Sequence, residues 1–470
     1  MTMARVLVIG GGIAGLTAAH RLRQRLGPGA EIVLAEASDR LGGKIHSLPF
    51  AGLTVEAGAE SLLAARPEPA ALAEEVGLGE ALRRPGEYPA ALLLDGELKP
   101  FPAGTFMGLP RTIDDIASYL STEGLAEAKR ERPTSGPLLG PEEDRSIGDL
   151  VAQQLGIEVR DRLLEPILAG IYAGDLDRLS VAAVMPQLAT HLRTHQRLTD
   201  AVCAMLPAPE PNQPKRPNPL ATIEGGLGRL VRATAQHAKP DLRLRTTVRQ
   251  LRGRPGGGWH AVCGPVPYPS LIAADAVVVA VPATPAAQLL EGHATTAVAA
   301  LREVDYASVA LATFAFPSGT TLPAHSGFLV PASSGHEIKA ATFFTRKWPH
   351  LTTEDAPVIM RVSLGRYGAV RSLQRPDADL ANLALREVRA CLGSDGGTEL
   401  PEPLKWRVNR WGGGLPQYTP GHSLRMSQAR AELAQLGGIA LAGAAADGVG
   451  IAACIASGRA AADSVADQVL

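Results

Sequence analysis

The chain has 470 residues, of which 46% are hydrophobic and 20% charged, so it is long enough to form about two or three globular domains with a large core. A net charge of −1 gives no electrostatic case for nucleic-acid binding, and four cysteines without CxxC spacing suit a reducing cytosol better than a disulfide framework. No signal peptide precedes Arg5 and no apolar run reaches the ~18 residues of a membrane span, so the sequence predicts a cytoplasmic protein without an integral membrane segment.

Residues 5 to 44 predict a strand, a tight glycine turn, a helix and a second parallel strand. The β-branched and aliphatic run Val6–Ile9 is typical of a strand that is buried on both faces. The turn Gly10–Gly15 follows at once, and the second apolar run, Ile32–Leu34, leads to an acid at Glu36. This order is the context that a dinucleotide-binding glycine motif requires.

Each residue type in this unit has a defined role at a dinucleotide site. Gly10 allows the sharp turn, Gly12 lets a pyrophosphate approach the backbone, and Gly15 lets the helix lie close to the strand. The Glu36 carboxylate can accept hydrogen bonds from both hydroxyls of an adenosine ribose and would repel a 2′-phosphate. The predicted cofactor contacts are Gly10, Gly11, Gly12, Ile13, Ala14, Gly15, Glu36 and Ala37.

A second cluster that pairs basic residues with glycines, Arg40–Lys44, comes shortly after the ribose acid. A nicotinamide site has no obvious use for it, whereas the pyrophosphate and ribityl chain of FAD extend over such a loop. FAD is therefore the favoured cofactor, and a basic surface turn is the alternative. The predicted contacts here are Arg40, Gly42, Gly43 and Lys44.

A small-residue turn and a helical region come next in the chain. Val55–Ser61 is typical of a strand end that runs into a turn, where Gly58 and Ala59 could let an isoalloxazine ring pass close to the backbone. An ordinary turn explains that segment equally well. Residues 67–78 predict a helix, and between about 100 and 205 aliphatic residues recur at helical spacing.

Two short segments of the helical region contain residues with ligand-binding chemistry. Gly170–Asp175 interrupts the helices with glycines on both sides of Tyr172, and glycines there would let a flat ligand lie against the backbone. A helix–helix turn is the alternative. His191 and His195 are four residues apart but lack a third ligand and a nearby acid, so the sequence predicts no metal site.

The second half of the chain predicts a return to the dinucleotide domain. Residues 205–219 form a proline-rich linker, after which Gly225–Val231 opens a helix. Leu242–Leu251 predicts one strand around Val248, and residues 276–281 predict another buried strand. A discontinuous domain is therefore expected.

The remaining sequence predicts a mixed sheet and a second helix N-terminus. Residues 304–410 are mostly alternating strands, which fits a mixed sheet that walls a substrate cavity. From Ile439 onward the chain predicts an apolar strand, a glycine-bearing loop and a helix that runs to Leu470. The N-terminus of that helix can face a flavin and place positive potential near its pyrimidine edge, where negative charge accumulates on reduction.

Three motifs connect the chain with a known family: Gly170–Asp175, Lys347–His350 and Pro416–His422, the last with Trp411 ahead of it and the Asp447 loop behind. Over nearly its whole length the chain resembles the flavin-dependent porphyrinogen oxidases of haem biosynthesis, a branch of the amine-oxidase superfamily. It is most similar to the soluble bacterial members of Gram-positive type, which are associated with coproporphyrinogen III.

The resemblance implies an α/β (α+β multidomain) fold in three parts: a Rossmann-like FAD-binding domain, a mixed-sheet substrate domain and an α-helical domain. The helical region lacks a long apolar face, which favours the soluble type. The expected boundaries are 1–85, 215–285 and 411–470 for the FAD-binding domain, 86–100 and 286–410 for the substrate domain, and 101–214 for the helical domain.

The resemblance also implies further site residues. Additional FAD contacts fall on Gly58, Ala59, Glu60, Ser61, Val248, Trp411, Gly443, Asp447, Val449, Gly450 and Ile451. Substrate contacts fall on Arg66, Gly170, Tyr172, Phe328 and Leu329. Phe328 and Leu329 would clamp the macrocycle, and a core aromatic is the alternative for Phe328. Arg66 would bind a propionate through a charge-assisted contact that contributes about 1.5–3 kcal/mol, and an exposed cation beside Pro67 is the alternative.

The implied reaction is oxidation of coproporphyrinogen III to coproporphyrin III by non-covalently bound FAD, in three two-electron steps with O2 as acceptor and H2O2 released at each step. Because the pyrrole nitrogens stabilise the cation left by hydride loss, we assign no catalytic acid or base. Three alternatives stay open: protoporphyrinogen IX as substrate, an amine oxidase, and a non-catalytic flavoprotein that carries a tetrapyrrole. Transfer of the product to ferrochelatase is expected from pathway logic, and the chain is either a monomer or a homodimer.

Overall fold

The structure, a computed structural model, describes residues 4–206, 218–352, 355–394 and 399–470. Most of the predicted proline-rich linker, residues 207–217, lies outside the described residues.

The strands of the described residues pair into six sheets. In chain order they are β1 (Arg5–Ile9), β2 (Glu31–Ala35), β3 (Ser47–Phe50), β4 (Leu53–Glu56), β5 (Leu62–Leu63), β6 (Leu82–Arg83), β7 (Ala90–Leu94), β8 (Glu97–Pro100), β9 (Thr105–Phe106), β10 (Leu109–Pro110), β11 (Leu220–Ile223), β12 (Asp241–Arg243), β13 (Val248–Gly253), β14 (Trp259–Cys263), β15 (Ser270–Ala274), β16 (Ala276–Val279), β17 (Asp305–Phe316), β18 (Gly327–Leu329), β19 (Ile338–Phe343), β20 (Val358–Leu364), β21 (Lys405–Gln417) and β22 (Ile439–Leu441).

The α-helices are distributed along the whole chain. They are α1 (Ile13–Leu26), α2 (Pro67–Glu75), α3 (Thr122–Ala128), α4 (Ile147–Leu155), α5 (Ile157–Val159), α6 (Glu165–Tyr172), α7 (Val181–Val184), α8 (Pro186–Leu192), α9 (Leu198–Met205), α10 (Gly228–Ala238), α11 (Ala283–Leu290), α12 (Thr295–Arg302), α13 (Phe344–Lys347), α14 (Asp377–Ser394), α15 (His422–Leu436), α16 (Ala444–Asp447) and α17 (Ile451–Val469). A π-helical turn joins α5 to α6, and 3-10 turns lie at Gly79–Ala81, Ile113–Tyr119, Ala332–Ser334, Pro349–Leu351 and Ser372–Gln374.

The dinucleotide-type unit is a five-stranded parallel sheet in the order β12-β2-β1-β16-β22. The apolar runs in β1 and β16 become its central strands, where Val8 pairs with Val278, because side chains without polar groups can be buried on both faces. Helices α1, α10 and α17 cover one face, and α11, α12 and α15 cover the other. The predicted strand–turn–helix–strand unit and its completion by distant segments are confirmed.

The predicted single strand Leu242–Leu251 is wrong. The chain instead forms β12 in the parallel sheet and β13 in a separate antiparallel sheet. The break comes at Arg245, whose φ of 52° lies in the left-handed region. At the break, the Arg245 and Thr246 amides donate to the backbone carbonyls of Ser38 and Glu36, both at 2.9 Å.

The second large element is a seven-stranded sheet in the order β21-β17-β20-β19-β18-β7-β8. It is mixed, as predicted, because β18 and β7 run parallel whereas the other neighbours run antiparallel. Helix α14 covers one face and buries Phe314, Phe328 and Val362 against Leu380 and Ala384. Helix α6 contacts the sheet at β18, β19 and β21.

Helices α4 to α9 pack mainly with one another, so the helical spacing between about 100 and 205 corresponds to a separate core. Tyr418 and strand β7 contribute side chains to that core. Within the described ranges, no helix combines the length and apolar character needed to cross a membrane. The α/β fold class is confirmed, while the boundaries of the three domains stay predictions.

Candidate active site

Gly12, which precedes α1, and Gly15, in the first turn of α1, are glycines for different physical reasons. A Cβ on Gly15 would lie 2.0 Å from the Gly10 carbonyl oxygen, so the fold itself requires glycine there. A Cβ on Gly12 would meet nothing within 4 Å, although Gly12 precedes the first turn of α1. Packing within the chain does not explain Gly12, and its missing side chain leaves open space at the helix N-terminus.

Glu36 lies at the same turn, as its position after β2 predicts. Its Oε2 accepts from the Gly11 amide at 2.7 Å and its Oε1 from the Ser38 amide at 2.8 Å. Each carboxylate oxygen keeps a further lone pair for another donor. Ala37, the next predicted contact, is exposed. The carboxylate is therefore held beside the N-terminus of α1 with acceptor capacity to spare.

The loop with the second group of glycines packs directly on the first. Gly42 donates to the Gly11 carbonyl at 2.8 Å, and a Cβ on Gly43 would lie 3.3 Å from Gly12 Cα. The Arg40 guanidinium donates to the carbonyls of this loop, including that of Gly43 at 2.7 Å, so it holds the loop in place.

Lys44, at the end of this loop, is a mostly buried cation. Burial lowers the pKa of its ammonium, and no carboxylate pairs with it among the described residues. A buried ammonium without a counter-ion is unfavourable unless an anion binds beside it.

The C-terminal loop reaches the same place from the other end of the chain. Gly443 has a φ of 107°, and its amide donates to Ser457 Oγ at 2.7 Å. Ser457 in turn donates to Asp447, which also accepts from Arg430 at 2.5 Å. A Cβ on Gly443 would lie 3.7 Å from the Ala14 Cβ. The loop is therefore a direct neighbour of the glycine turn.

Helix α17 begins after this loop, at Ile451, with Gly450 before it and no side-chain cap. Helix α1 also begins without a side-chain cap. The two helices pack so closely that a Cβ on Gly458 would lie 2.2 Å from the Ala14 carbonyl oxygen. Val449 is partly buried against the helical core. We call the assembly of Gly10–Gly15, Gly42–Gly43 and Gly443 the glycine cluster.

The turn at Gly58 connects the glycine cluster with the seven-stranded sheet. Ala59 donates to the Lys44 carbonyl at 2.9 Å, while Trp411 Nε1 donates to the Ala57 carbonyl at 2.7 Å. A Cβ on Gly58 would lie 2.8 Å from Trp411 Cζ2. Predicted contacts that are far apart in sequence, Lys44, Gly58 and Trp411, thus lie together, and the half-buried Ser61 closes the segment.

Glu60 is placed differently from its prediction as a cofactor contact. Its buried carboxylate accepts from Arg361 Nη2 at 2.5 Å, Lys347 Nζ at 2.7 Å and Trp348 Nε1 at 3.1 Å. Burial alone would raise the pKa of Glu60, but Lys347 and Arg361 lower it below its ordinary value. The side chain is therefore an internal anion whose partners belong to the protein, and a contact of Glu60 with the cofactor stays a prediction. Glu60, Lys347 and Arg361 are called the Glu60 ion cluster below.

Arg361 is a site residue that the sequence reasoning missed. Besides Glu60, its guanidinium donates to the carbonyls of Glu56 at 3.1 Å and Gly58 at 3.0 Å. A charged residue in the mainly apolar strand Val358–Leu364 was the available signal. Glu56 is itself buried, and burial raises its pKa to about 7. Hydrogen bonds from the Leu227 amide and the Ser47 hydroxyl act in the opposite direction and lower the pKa.

One face of the seven-stranded sheet is half-buried although it belongs to central strands. Cross-strand pairs place its members side by side, with Leu329 opposite Ala340 and Thr342 opposite Arg361. Its half-buried residues are Leu329, Ala340, Thr342, Arg361 and Ser363. The residues between them point to the core beneath α14. We call this surface the substrate face.

Leu329 and Phe328, the two residues of the predicted clamp, point to opposite faces of the seven-stranded sheet. Leu329 lies on the substrate face, and its Cδ2 would be 3.5 Å from a Cβ on Gly170. Phe328 is only 1% exposed and packs edge-to-face on Phe343 with ring centroids 6.0 Å apart. Because neighbouring strand residues point to opposite faces, both side chains cannot clamp one ligand. Leu329 is the half-buried member of the pair, and the role of Phe328 as a substrate contact stays a prediction.

The end of α6 brings Gly170 and Ile171 to the surface beside Leu329, and both are exposed. Tyr172 is turned inward: its ring packs edge-to-face on Tyr418, and burial raises its pKa to about 12. The role of Tyr172 as a substrate contact stays a prediction.

Two further predicted contacts lie outside the groups described so far. Arg66 is exposed at the start of α2 and pairs with Glu68 at 2.7 Å. Val248 is buried at the start of β13. The role of Arg66 as a substrate contact and that of Val248 as a cofactor contact both stay predictions. Among the described residues, no three His, Cys, Asp or Glu side chains are grouped as a metal site would require.

Comparison with known proteins defines the class of this fold and site. Residues 13–466 match the flavin containing amine oxidoreductase family, and the chain belongs to that family. It is a flavin-dependent oxidoreductase.

Within the family the similarity is to porphyrinogen oxidases, which confirms the resemblance found in the motifs. The chain is 34% identical to the coproporphyrinogen III oxidase of Mycobacterium tuberculosis (98% of this chain, 97% of the relative). It is 30% identical to that of Bacillus subtilis (97% and 96%). A crystal structure from Exiguobacterium sp. 255-15, described provisionally as a protoporphyrinogen oxidase, is 30% identical with a TM-score of 0.84 over 100% of both chains.

Proposed function

We propose that this chain binds FAD non-covalently and uses O2 to oxidise coproporphyrinogen III to coproporphyrin III. The observation that supports it most directly is the glycine cluster at the uncapped N-terminus of α1, which packs against α17 and is joined through the Gly58 turn to the half-buried substrate face. The two relatives named coproporphyrinogen III oxidase support the choice of substrate.

The residues around the glycine cluster fit an anionic dinucleotide. The free N–H groups and partial positive charge of α1 and α17 suit phosphates. Lys44 offers a buried positive charge, and the Glu36 carboxylate has lone pairs left for ribose hydroxyls. The proposed FAD contacts are those predicted from the sequence, without the Glu60 side chain.

Bound FAD would supply the two-electron redox chemistry: three two-electron oxidations of the macrocycle, with O2 as the final acceptor, would remove six hydrogens and yield three molecules of H2O2. The chain itself contributes binding and orientation. Leu329, Ala340 and Ile171 offer apolar surface to a large flat ligand, and Gly170 leaves room for it to approach.

The charged side chains near this surface are engaged by the protein. The Arg361 guanidinium is held by Glu60 and by the Glu56 and Gly58 carbonyls, so its role is to fix the Gly58 turn against the sheet. We therefore assign no catalytic acid or base to the substrate face. Arg66 stays a proposed partner for a propionate, for which its exposed position leaves the guanidinium accessible.

The purified protein tests this proposal directly. We expect a yellow protein that releases FAD on denaturation, forms fluorescent porphyrin from coproporphyrinogen III, and yields three H2O2 per porphyrin. A colourless protein that cannot be reconstituted with FAD would refute the cofactor. Flavin that stays attached after denaturation would refute non-covalent binding.

A second candidate is the same reaction on protoporphyrinogen IX, which the description of the Exiguobacterium structure favours. Parallel assays of the two porphyrinogens separate the candidates, since a clear preference for the dipropionate would reject our choice. Turnover of amines would indicate an amine oxidase, and a yellow but inert protein that binds porphyrin would indicate a carrier. Cytoplasmic location, transfer to ferrochelatase and the choice between monomer and homodimer stay predictions.

A further inference from the structure

Lys339 is a buried lysine that neither the motifs nor the proposed chemistry explains. Lys339 lies on β19 at the point where the register of the pairing with β20 shifts, between Ile338 and Ala340. It is only 3% exposed. Its Nζ donates to the Ala169 carbonyl at 3.1 Å. No ion pair to Lys339 is present in the described part of the chain.

The charged groups that face Lys339 do not neutralise it. Burial, followed by the nearby Arg366 and Arg361, lowers the pKa of Lys339 to about 7, while Glu165 acts in the opposite direction. Glu165 is itself engaged, by Arg366 at 3.4 Å and by the Ala332 amide at 3.0 Å. Burying an ammonium in such surroundings destabilises a fold, and an apolar side chain of similar length would avoid that cost.

The ammonium group of Lys339 contacts the C-terminal part of α6, which packs beside the substrate face. The Ala169 carbonyl also accepts from the Ala173 amide at 2.9 Å, so it belongs to the last turn of the helix, where a cation is favoured by the helix dipole. Gly170, the next residue, is exposed, and a Cβ there would meet only Leu329 Cδ2, at 3.5 Å. The ammonium therefore lies directly behind a peptide that is open to a ligand.

We propose that Lys339 is a positioning residue that fixes the Ala169–Gly170 peptide and places a positive charge behind the surface where a carboxylate arm of the substrate lies. This inference rests on the proposed function and adds a basis for preferring a substrate with more carboxylates. A charge at this depth attracts a nearby anion strongly because the surrounding dielectric is low. Coproporphyrinogen III has four propionates and protoporphyrinogen IX has two, so the charge of Lys339 increases the binding affinity for coproporphyrinogen III more.

The test compares Lys339→Met and Lys339→Arg with the wild-type holoenzyme. The matched control is Lys405→Met, which removes an exposed lysine at the start of β21 in the same sheet but outside the substrate face. For Lys339→Met we expect KM for coproporphyrinogen III and Kd for coproporphyrin III to rise about tenfold, with kcat within about twofold. We expect a smaller rise for the dipropionate compounds. Lys339→Arg should keep most of the wild-type affinity, and Lys405→Met should leave it unchanged.

Two further measurements separate this role from a structural one. The Tm of Lys339→Met should rise, because a buried charge is removed, although substrate binding becomes weaker. In the wild type, KM for coproporphyrinogen III should increase as the pH rises through about 7 and Lys339 loses its proton, and this step should be absent in Lys339→Met.

These measurements also distinguish failure of the proposed role of Lys339 from failure of the proposed oxidase function. A lower Tm with an equal loss for both porphyrinogens would show a structural role and overturn the proposal for Lys339. Unchanged KM and Kd in Lys339→Met would overturn it as well. A wild-type protein that oxidises neither porphyrinogen would instead refute the proposed function itself.

Discussion

The glycine cluster and the substrate face are built in different ways, although the Gly58 turn joins them. The glycine cluster uses backbone groups, glycine positions and helix N-termini, most of which lie within one short stretch of the sequence. The Gly58 turn and the substrate face are held together by charged side chains, as in the contact of Arg361 with Glu60, 301 positions earlier in the chain. Local spacing therefore reveals the first region, while the second depends on the complete fold.

Removing one cation from the Glu60 ion cluster should have the largest effect on stability. Arg361→Met leaves the buried Glu60 carboxylate short of a partner and removes donors from the Glu56 and Gly58 carbonyls. We expect the free energy of unfolding, measured in urea, to fall by about 3–5 kcal/mol.

The matched control is Arg346→Met, which removes a hydrogen bond to the Leu322 carbonyl and a contact with the exposed Tyr88 ring. We expect a loss of about 1 kcal/mol or less there. A loss that is equal in the two variants would show that the Glu60 ion cluster has no special part in joining the two regions.

Within the glycine cluster, two alanine substitutions should separate stability from cofactor binding. Gly15→Ala places a Cβ 2.0 Å from the Gly10 carbonyl oxygen, so we expect the apoprotein to lose about 1–3 kcal/mol. Gly12→Ala meets nothing within 4 Å and should leave the unfolding free energy nearly unchanged.

The same Gly12→Ala variant should bind FAD at least about tenfold more weakly, measured by titration of the apoprotein, because its methyl group enters the space left for the phosphates. Unchanged FAD affinity in Gly12→Ala would contradict the proposed position of the cofactor. Gly15→Ala serves as the internal reference for a purely structural effect.

The buried Glu56 beneath the Gly58 turn should make stability depend on pH. Its pKa is raised from 4.5 to about 7, first by burial. Between these values the folded protein keeps a proton that the unfolded chain has lost, so the free energy of unfolding should fall as the pH rises through this window. The slope for one proton is at most about 1.4 kcal/mol per pH unit.

Urea unfolding of the wild type and of Glu56→Gln at several pH values between 4.5 and 8 measures this contribution. The Gln variant keeps an acceptor for the Leu227 amide, and the difference between the curves isolates Glu56 from other titrating groups. Parallel curves would mean that Glu56 does not hold its proton in the folded state.

The same contrast explains what could be predicted from the sequence. The glycine turn, Glu36 and the parallel strand order follow from short spacings, and β16 follows from an apolar run that only a central strand can bury. Trp411 was found through the spacing of a family motif, and the structure places it against Gly58.

The sequence is least informative where a side chain can point to either of two faces. Phe328 and Leu329 are adjacent in β18, and a strand pattern alone does not say which face α14 covers. Glu60 was expected to contact the cofactor through the family resemblance, and its partners Lys347 and Arg361 come from α13 and β20, far along the chain. Burial of Lys339 likewise depends on the irregular pairing of β19, which the sequence pattern does not predict.

Trp411 tests the junction between the two regions with the smallest expected effect. Trp411→Phe keeps an aromatic ring against Gly58 but removes the Nε1–H that donates to the Ala57 carbonyl at 2.7 Å, so we expect a loss of about 0.5–1.5 kcal/mol in unfolding free energy. Trp406→Phe, on the same strand but 43% exposed, should change it by less than about 0.5 kcal/mol. If Trp411 orders the Gly58 turn, the bound flavin of Trp411→Phe should also show a shifted absorption spectrum, whereas that of Trp406→Phe should not. Identical spectra and stabilities for the two variants would contradict a role for Trp411 in joining the glycine cluster to the substrate face.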